Sequence, residues 1–144
     1  FDTHQTQGGA AGSHANLLKS VGWAMYALQK YCTQNAEKAA WKDVVVVTFS
    51  EFGRTAVENS DAGTDHAEAG VMYVAGGGIK GGVAYGASDE FAYKTVSNPV
   101  YCYDLHATAL HLLGIDHTKL TYRYQGRQFR LTDVHGKVAK GILA

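Results

Sequence analysis

Cysteine is nearly absent: Cys32 and Cys102 are the whole complement in 144 residues, and no Cys-x-x-Cys spacing joins them. That excludes a zinc knuckle and a disulfide framework, and the expectation is two buried structural thiols. An excess of one charge sign is also lacking, because thirteen basic and thirteen acidic side chains cancel. Arg123, Arg127 and Arg130 are scattered rather than run together. The electrostatic footprint of a nucleic-acid binder is therefore missing, and nucleic acid is not an expected partner. Long apolar runs are missing too: the longest, residues 44–49, is far short of a membrane span, and no signal peptide is visible. Internal repeats, low-complexity tracts and interdomain linkers do not occur.

What is present is the apolar content of one soluble domain, 46% of the side chains. A chemically dense stretch, Asp2 to His4, stands at the very start, which leads to the expectation that residues 1–144 are a fragment of one larger domain. Residues 13–33 place Leu17, Leu18, Val21, Met25, Leu28 and Cys32 at helical spacing, with Ser13 as the expected N-cap. Residues 43–49 form a β-branched run suited to a parallel strand buried on both faces, so helix followed by strand predicts an α/β fold.

The polar stretch 50–70 is too long for an ordinary connection and is a candidate for function. Residues 71–75 and 83–85 read as two strands around the glycine-rich turn 76–82. That turn lacks the Lys-Ser/Thr ending of a phosphate-binding loop. Asp104 is the expected cap of a helix ending at Gly114, residues 122–124 and 128–130 flank a turn in a small antiparallel hairpin, and residues 135–143 suggest a short closing helix. Tyr101 with Tyr103, and Tyr122 with Tyr124, alternate at strand period and read as half-buried core.

Candidate chemistry sits in three polar knots. Asp2 and His4 are two apart, so in extended chain both side chains face one way, giving half of a zinc-type donor set; a structural or solvated role is the alternative. Glu51 follows the buried run, where ligands of open α/β sheets gather. Three residues on, Arg54 offers a planar fork for a tetrahedral oxyanion, or else a counter-ion for Glu51. Asp65 and His66 lie in the long polar stretch behind Gly63 and Thr64. Such a mixture of oxygen and nitrogen donors fits a hard or borderline divalent cation. Thr48, Ser50 and Thr55 are available hydroxyls, but no spacing supplies an activating base. Asp104, His106, His111, His117 and His135 read as capping and packing residues.

The ordered segments Phe-Asp-Thr-His-Gln-Thr-Gln, Val-Val-Val-Val-Thr-Phe-Ser-Glu-Phe-Gly-Arg-Thr, Gly-Thr-Asp-His and Gly-Gly-Gly-Ile-Lys-Gly-Gly-Val-Ala-Tyr-Gly resemble successive motifs of an exported, sulfatase-like bacterial family, domain of unknown function 1501. The stretches 104–114 and 120–133 resemble its C-terminus. That family is similar to the alkaline phosphatase superfamily. The resemblance implies an alkaline-phosphatase-like sandwich, here its C-terminal part, with a mostly parallel sheet, flanking helices and small antiparallel hairpins. It implies a periplasmic or otherwise exported, metal-dependent hydrolase of phosphate or sulfate esters, carried by small molecules or glycans. Asp2, His4, Glu51, Asp65 and His66 would then be the metal-facing residues, with Glu51 at the strand-end carboxylate position and His66 as the later histidine. His14 is the alternative to His4, and its first-turn place in a helix is the simpler reading. Zinc or manganese is favoured, with calcium as the alternative. Arg54 would clamp the oxyanion, and the nucleophile would lie in an N-terminal half of the same protein. In the superfamily the buried strand ends in an Asp-His ligand pair, whereas here it ends in Ser50-Glu51, and that missing histidine motivates a second expectation, a non-catalytic exported binding or cell-surface protein that keeps the fold.

Overall fold

The structure is a computed structural model that describes residues 2–144; Phe1, which opens the first motif, lies outside them. It is a mixed α/β chain in two compact units. One runs to Ile79 and includes Ala87–Ser97; the other comprises Lys80–Gly86 and Asn98–Ala144.

In the first unit, helix α1 spans Ser13–Gln34. Its N-cap is Gly12 rather than Ser13, whose hydroxyl instead donates to the Thr6 carbonyl at 3.0 Å. The expected inner stripe forms in part: Leu17, Val21 and Met25 are partly covered and Cys32 is buried, but Leu18 and Leu28, expected on the same face, are exposed. Trp23, Tyr26 and Tyr31 lie on the exposed remainder.

A 3-10 turn at Trp41–Asp43 leads into strand β1, Val45–Thr48, which is half-buried throughout. The expected parallel strand covered on both faces is not what forms. β1 pairs antiparallel with β4, Tyr73–Gly76, from Val45 opposite Gly76 to Thr48 opposite Tyr73. The glycine-turn hairpin does not form either: residues 73–76 pair with β1, whereas Lys80–Gly86 belong to the second unit, where the Lys80 N–H donates to the Ile142 carbonyl at 2.8 Å, and residues 83–85 form no strand.

Between them, β2 (Gly53–Glu58) and β3 (Thr64–Ala67) form an antiparallel hairpin with Arg54 directly opposite His66. A short ladder of β5 (Ala87–Ser88) and β6 (Thr95–Ser97) completes this unit. Among the described residues every ladder is two-stranded and antiparallel, in place of the mostly parallel sheet expected.

The second unit holds helix α2, Cys102–Leu112. Asp104 does cap it, but from its third position: Tyr101 is the N-cap residue, and its N–H donates to Asp104 Oδ2 at 3.1 Å. Cys102, at the first turn, is exposed, contrary to expectation. The hairpin of β7 (Thr121–Tyr124) and β8 (Arg127–Arg130) forms as expected. Gln125 and Gly126 both take positive φ, 46° and 81°, the two-residue turn whose twist matches paired strands. Tyr101, Tyr122 and Tyr124 are more than half exposed, so they are not the half-buried core their alternation suggests. The closing helix is reduced to a 3-10 turn at Lys140–Ile142. The Ala139 N–H, which a helix starting at His135 would need for its own ladder, goes instead to Thr108 Oγ1 (2.9 Å), and the Lys137 N–H goes to Asp104 Oδ1 (2.6 Å). His117 is buried, its Nδ1 2.9 Å from Thr132 Oγ1, which agrees with a packing role.

After α2, Asp116 Oδ1 accepts both the N–H (2.9 Å) and the hydroxyl (2.7 Å) of Thr118. These bonds, with Lys119 nearby, hold the Asp116 carboxyl down at about 2. The native value lies below the unfolded one, so the turn's stabilisation is complete above the ordinary carboxylate range and is lost as pH falls through about 2. A carbon-detected NMR titration of Asp116 should show a midpoint near 2 that rises in Thr118→Ala; an ordinary midpoint in the unaltered protein would refute the assignment.

Candidate functional site

The first unit contains an open recess of about 580 Å³. Asp2, Thr3, His4 and His14 line one side, and Phe49 to Phe52 with Arg54 and His66 line the other. Members of all three polar knots thus meet, because the N-terminal segment lies along the β2–β3 hairpin. The Thr6 N–H donates to the Asp61 carbonyl at 2.8 Å and the Gln7 N–H to that of Ala62 at 2.9 Å. Gly63 lies directly against the N-terminal segment: a Cβ there would sit 1.9 Å from the His4 carbonyl oxygen, which only glycine avoids.

Asp2 and His4 face the same way, as their spacing predicts, and they engage each other. His4 Nδ1 lies 3.1 Å from Asp2 Oδ1. A carboxylate can only accept, so Nδ1 carries a proton, and in the neutral ring that leaves the lone pair on Nε2. The Asp2 carboxyl is held below its ordinary range, chiefly by the His4 side-chain hydrogen bond, then by the His4 backbone N–H, with the Arg54 charge contributing least. The His4 ring sits 4.4 Å from that of His66, whose other neighbour is Phe52, stacked at 3.5 Å and 20°.

Arg54 is held at one end, where Nη1 donates to the Thr64 carbonyl at 2.6 Å. Its Nη2 is 4.0 Å from Asp2 Oδ1, a loose contact, and its side chain is only 21% exposed. Of the two readings open for Arg54, pairing with Glu51 is not seen; Asp2 is the carboxylate beside it. Glu51 is exposed at the rim of the recess. Asp65 stands apart from the lining. Neighbours along a strand point to opposite faces, so with His66 turned to the recess Asp65 turns away, where the Asn59 amide donates to it at 2.9 Å.

The donor chemistry, carboxylate with imidazoles, suits a borderline divalent cation. The geometry does not complete it: among the described residues no three His, Cys, Asp or Glu side chains are grouped to hold one ion. The hydroxyls of Ser50 and Thr55 are spent on backbone carbonyls, and Thr48 Oγ1 accepts the Tyr73 N–H. Thr3 is different. Its buried hydroxyl lies 3.0 Å from His14 Nδ1, so His14 belongs both to the first turn of α1 and to the recess. Thr3, Gln7, Phe52 and Asn59 were not legible as site residues; for Thr3 and Phe52, adjacency to the knots was the available signal.

The sequence profile described as "Protein of unknown function (DUF1501)" matches residues 1–143. The chain belongs to the DUF1501 family. No curated protein and no solved structure matches it. In this DUF1501 chain the recess brings residues 2–4 and His14 together with residues 49–52, Arg54 and His66.

Proposed function

We propose that the recess is part of the site of a divalent-cation-dependent hydrolase of phosphate or sulfate esters, in an exported protein of alkaline-phosphatase-like fold. The observation behind this reading is the meeting of the Asp2–His4 pair, His66 and Arg54 around one opening. Imidazole donors favour zinc or manganese over calcium. A bound cation would supply polarisation of the ester oxygen. Because the described residues give fewer than three grouped donors, the remaining ones and the nucleophile would come from a further part of the same protein.

The chain's own residues have separable tasks. Asp2 fixes the His4 tautomer so that Nε2 can take a proton or bind a cation. Arg54, anchored on Thr64, keeps its remaining N–H groups for a tetrahedral anion. Phe52 packs against His66 and limits its rotation. The β1 edge away from β4 has no partner among the described residues, which leaves room for the parallel neighbour that a sandwich would require.

Metal analysis of the full-length protein and a panel of phosphate and sulfate esters would test the proposal. Bound zinc or manganese and cation-dependent turnover are expected, with metal content reduced in Glu51→Ala and in His66→Ala. Undiminished metal in both variants would reject these ligand assignments. The incomplete donor group also favours a second reading, a binding protein without turnover. Absence of ester cleavage across the panel would select it.

A further inference from the structure

The recess depends on the register between the N-terminal segment and the β2–β3 hairpin, and two side-chain amides span that boundary. Asn59 uses its full hydrogen-bonding capacity. Its Nδ2 donates to the His4 carbonyl and to Asp65 Oδ1, both at 2.9 Å, while its Oδ1 accepts the N–H groups of Asp61 and Gly63, both at 3.0 Å. The amide orientation is fixed by these partners, since reversing it would set N–H against N–H. Gln7 acts from the other chain: its Nε2 donates to the Thr3 carbonyl and to Thr64 Oγ1, both at 2.8 Å. Thr64 is also the residue whose carbonyl anchors Arg54. The partners on the N-terminal side are the carbonyls of Thr3 and His4, the two residues that follow Asp2.

We infer that Asn59 and Gln7 are positioning residues, whose amides set His4 and Asp2 in register with Arg54 and His66. Asp65 then has a task of its own, taking the second Asn59 N–H and so aiming the first at His4. Neither amide lines the recess, so both act through the residues they hold. A lateral slip of about 1 Å in a reacting group can cost on the order of 10²-fold in rate, so this register would matter to turnover. That consequence rests on the hydrolase reading above; the register itself does not.

Asn59→Asp separates holding the loop from holding His4. The aspartate still accepts from Asp61 and Gly63, but it cannot donate to His4 and it repels Asp65. Gln7→Glu likewise keeps its shape and loses its donors. In the labelled full-length protein, the nuclear Overhauser contact between the His4 and His66 rings should be present and should fade in both variants, while the melting temperature stays within a few degrees. Where ester turnover is measurable, kcat/KM should fall about 10- to 100-fold in both. If the amides of residues 61 and 63 lose their folded shifts in Asn59→Asp, Gln7→Glu decides, since it touches neither. Retention of the ring contact in the deciding variants overturns the inference. An unaltered protein without turnover removes the hydrolase reading and leaves the ring contact to judge the register.

Discussion

Arg54→Ala should lower kcat/KM for a phosphate or sulfate ester by about 10²- to 10³-fold, the usual loss when one preorganised donor to a developing oxyanion is removed. Arg54→Lys should recover little of this. In the structure one guanidinium nitrogen is committed to the Thr64 carbonyl at 2.6 Å, and the planar fork leaves its other N–H groups for the recess. A lysine ammonium is a point charge on a flexible stem and does not reproduce that division. Inorganic phosphate or sulfate should accordingly protect the unaltered protein against thermal unfolding more than either variant. Equal protection in all three proteins, with unchanged turnover, would reject Arg54 as the anion-binding residue and leave it as a strut between β2 and β3.

Arg54 also shows how far the sequence could reach. Its suitability for an oxyanion was readable from residue type, but the choice between Glu51 and an anion was not, because it turns on which carboxylate the fold brings near. That proves to be Asp2, some fifty positions away in the chain. Local pattern served well where local forces decide. The stripe of α1, the spacing of Asp2 and His4, and the Gln125-Gly126 turn were all legible, since each depends on neighbours within a few residues. It failed where a distant partner claims the backbone. The run around Val45 carries the signature of a strand covered on both faces, yet the partner found for it is β4, paired antiparallel, and the residues beyond the glycine turn join the second unit instead of returning as a strand. Asp65 and His66 looked equivalent as an adjacent pair; strand geometry separates them. The amides of Gln7 and Asn59 carry no motif, because their role exists only across the contact they make.

The same distinction bears on the largest expected loss of stability, which lies in the second unit. Asp104 is 5% exposed and accepts two backbone N–H groups, from Tyr101 at 3.1 Å and from Lys137 at 2.6 Å. One carboxylate therefore caps α2 and fixes the irregular segment that replaces the expected closing helix. Asp104→Ala strips both donors of their acceptor. At about 1–3 kcal/mol for each polar group left unsatisfied, the cost should be about 2–6 kcal/mol, read as a lower midpoint in chemical denaturation. Asp104→Asn has nearly the same shape but a single acceptor oxygen, with N–H groups where the other oxygen stood, so it should fall between the two. Amide hydrogen exchange supplies the local readout: Tyr101 and Lys137 should both lose protection in the alanine variant, and one of them should keep it in the asparagine variant. If the alanine variant unfolds at the same denaturant concentration and both amides remain protected, Asp104 is not the joint between helix and tail. Such a result would leave the Ala139 N–H bond to Thr108 Oγ1 as the tie that draws residues 135–143 out of helix.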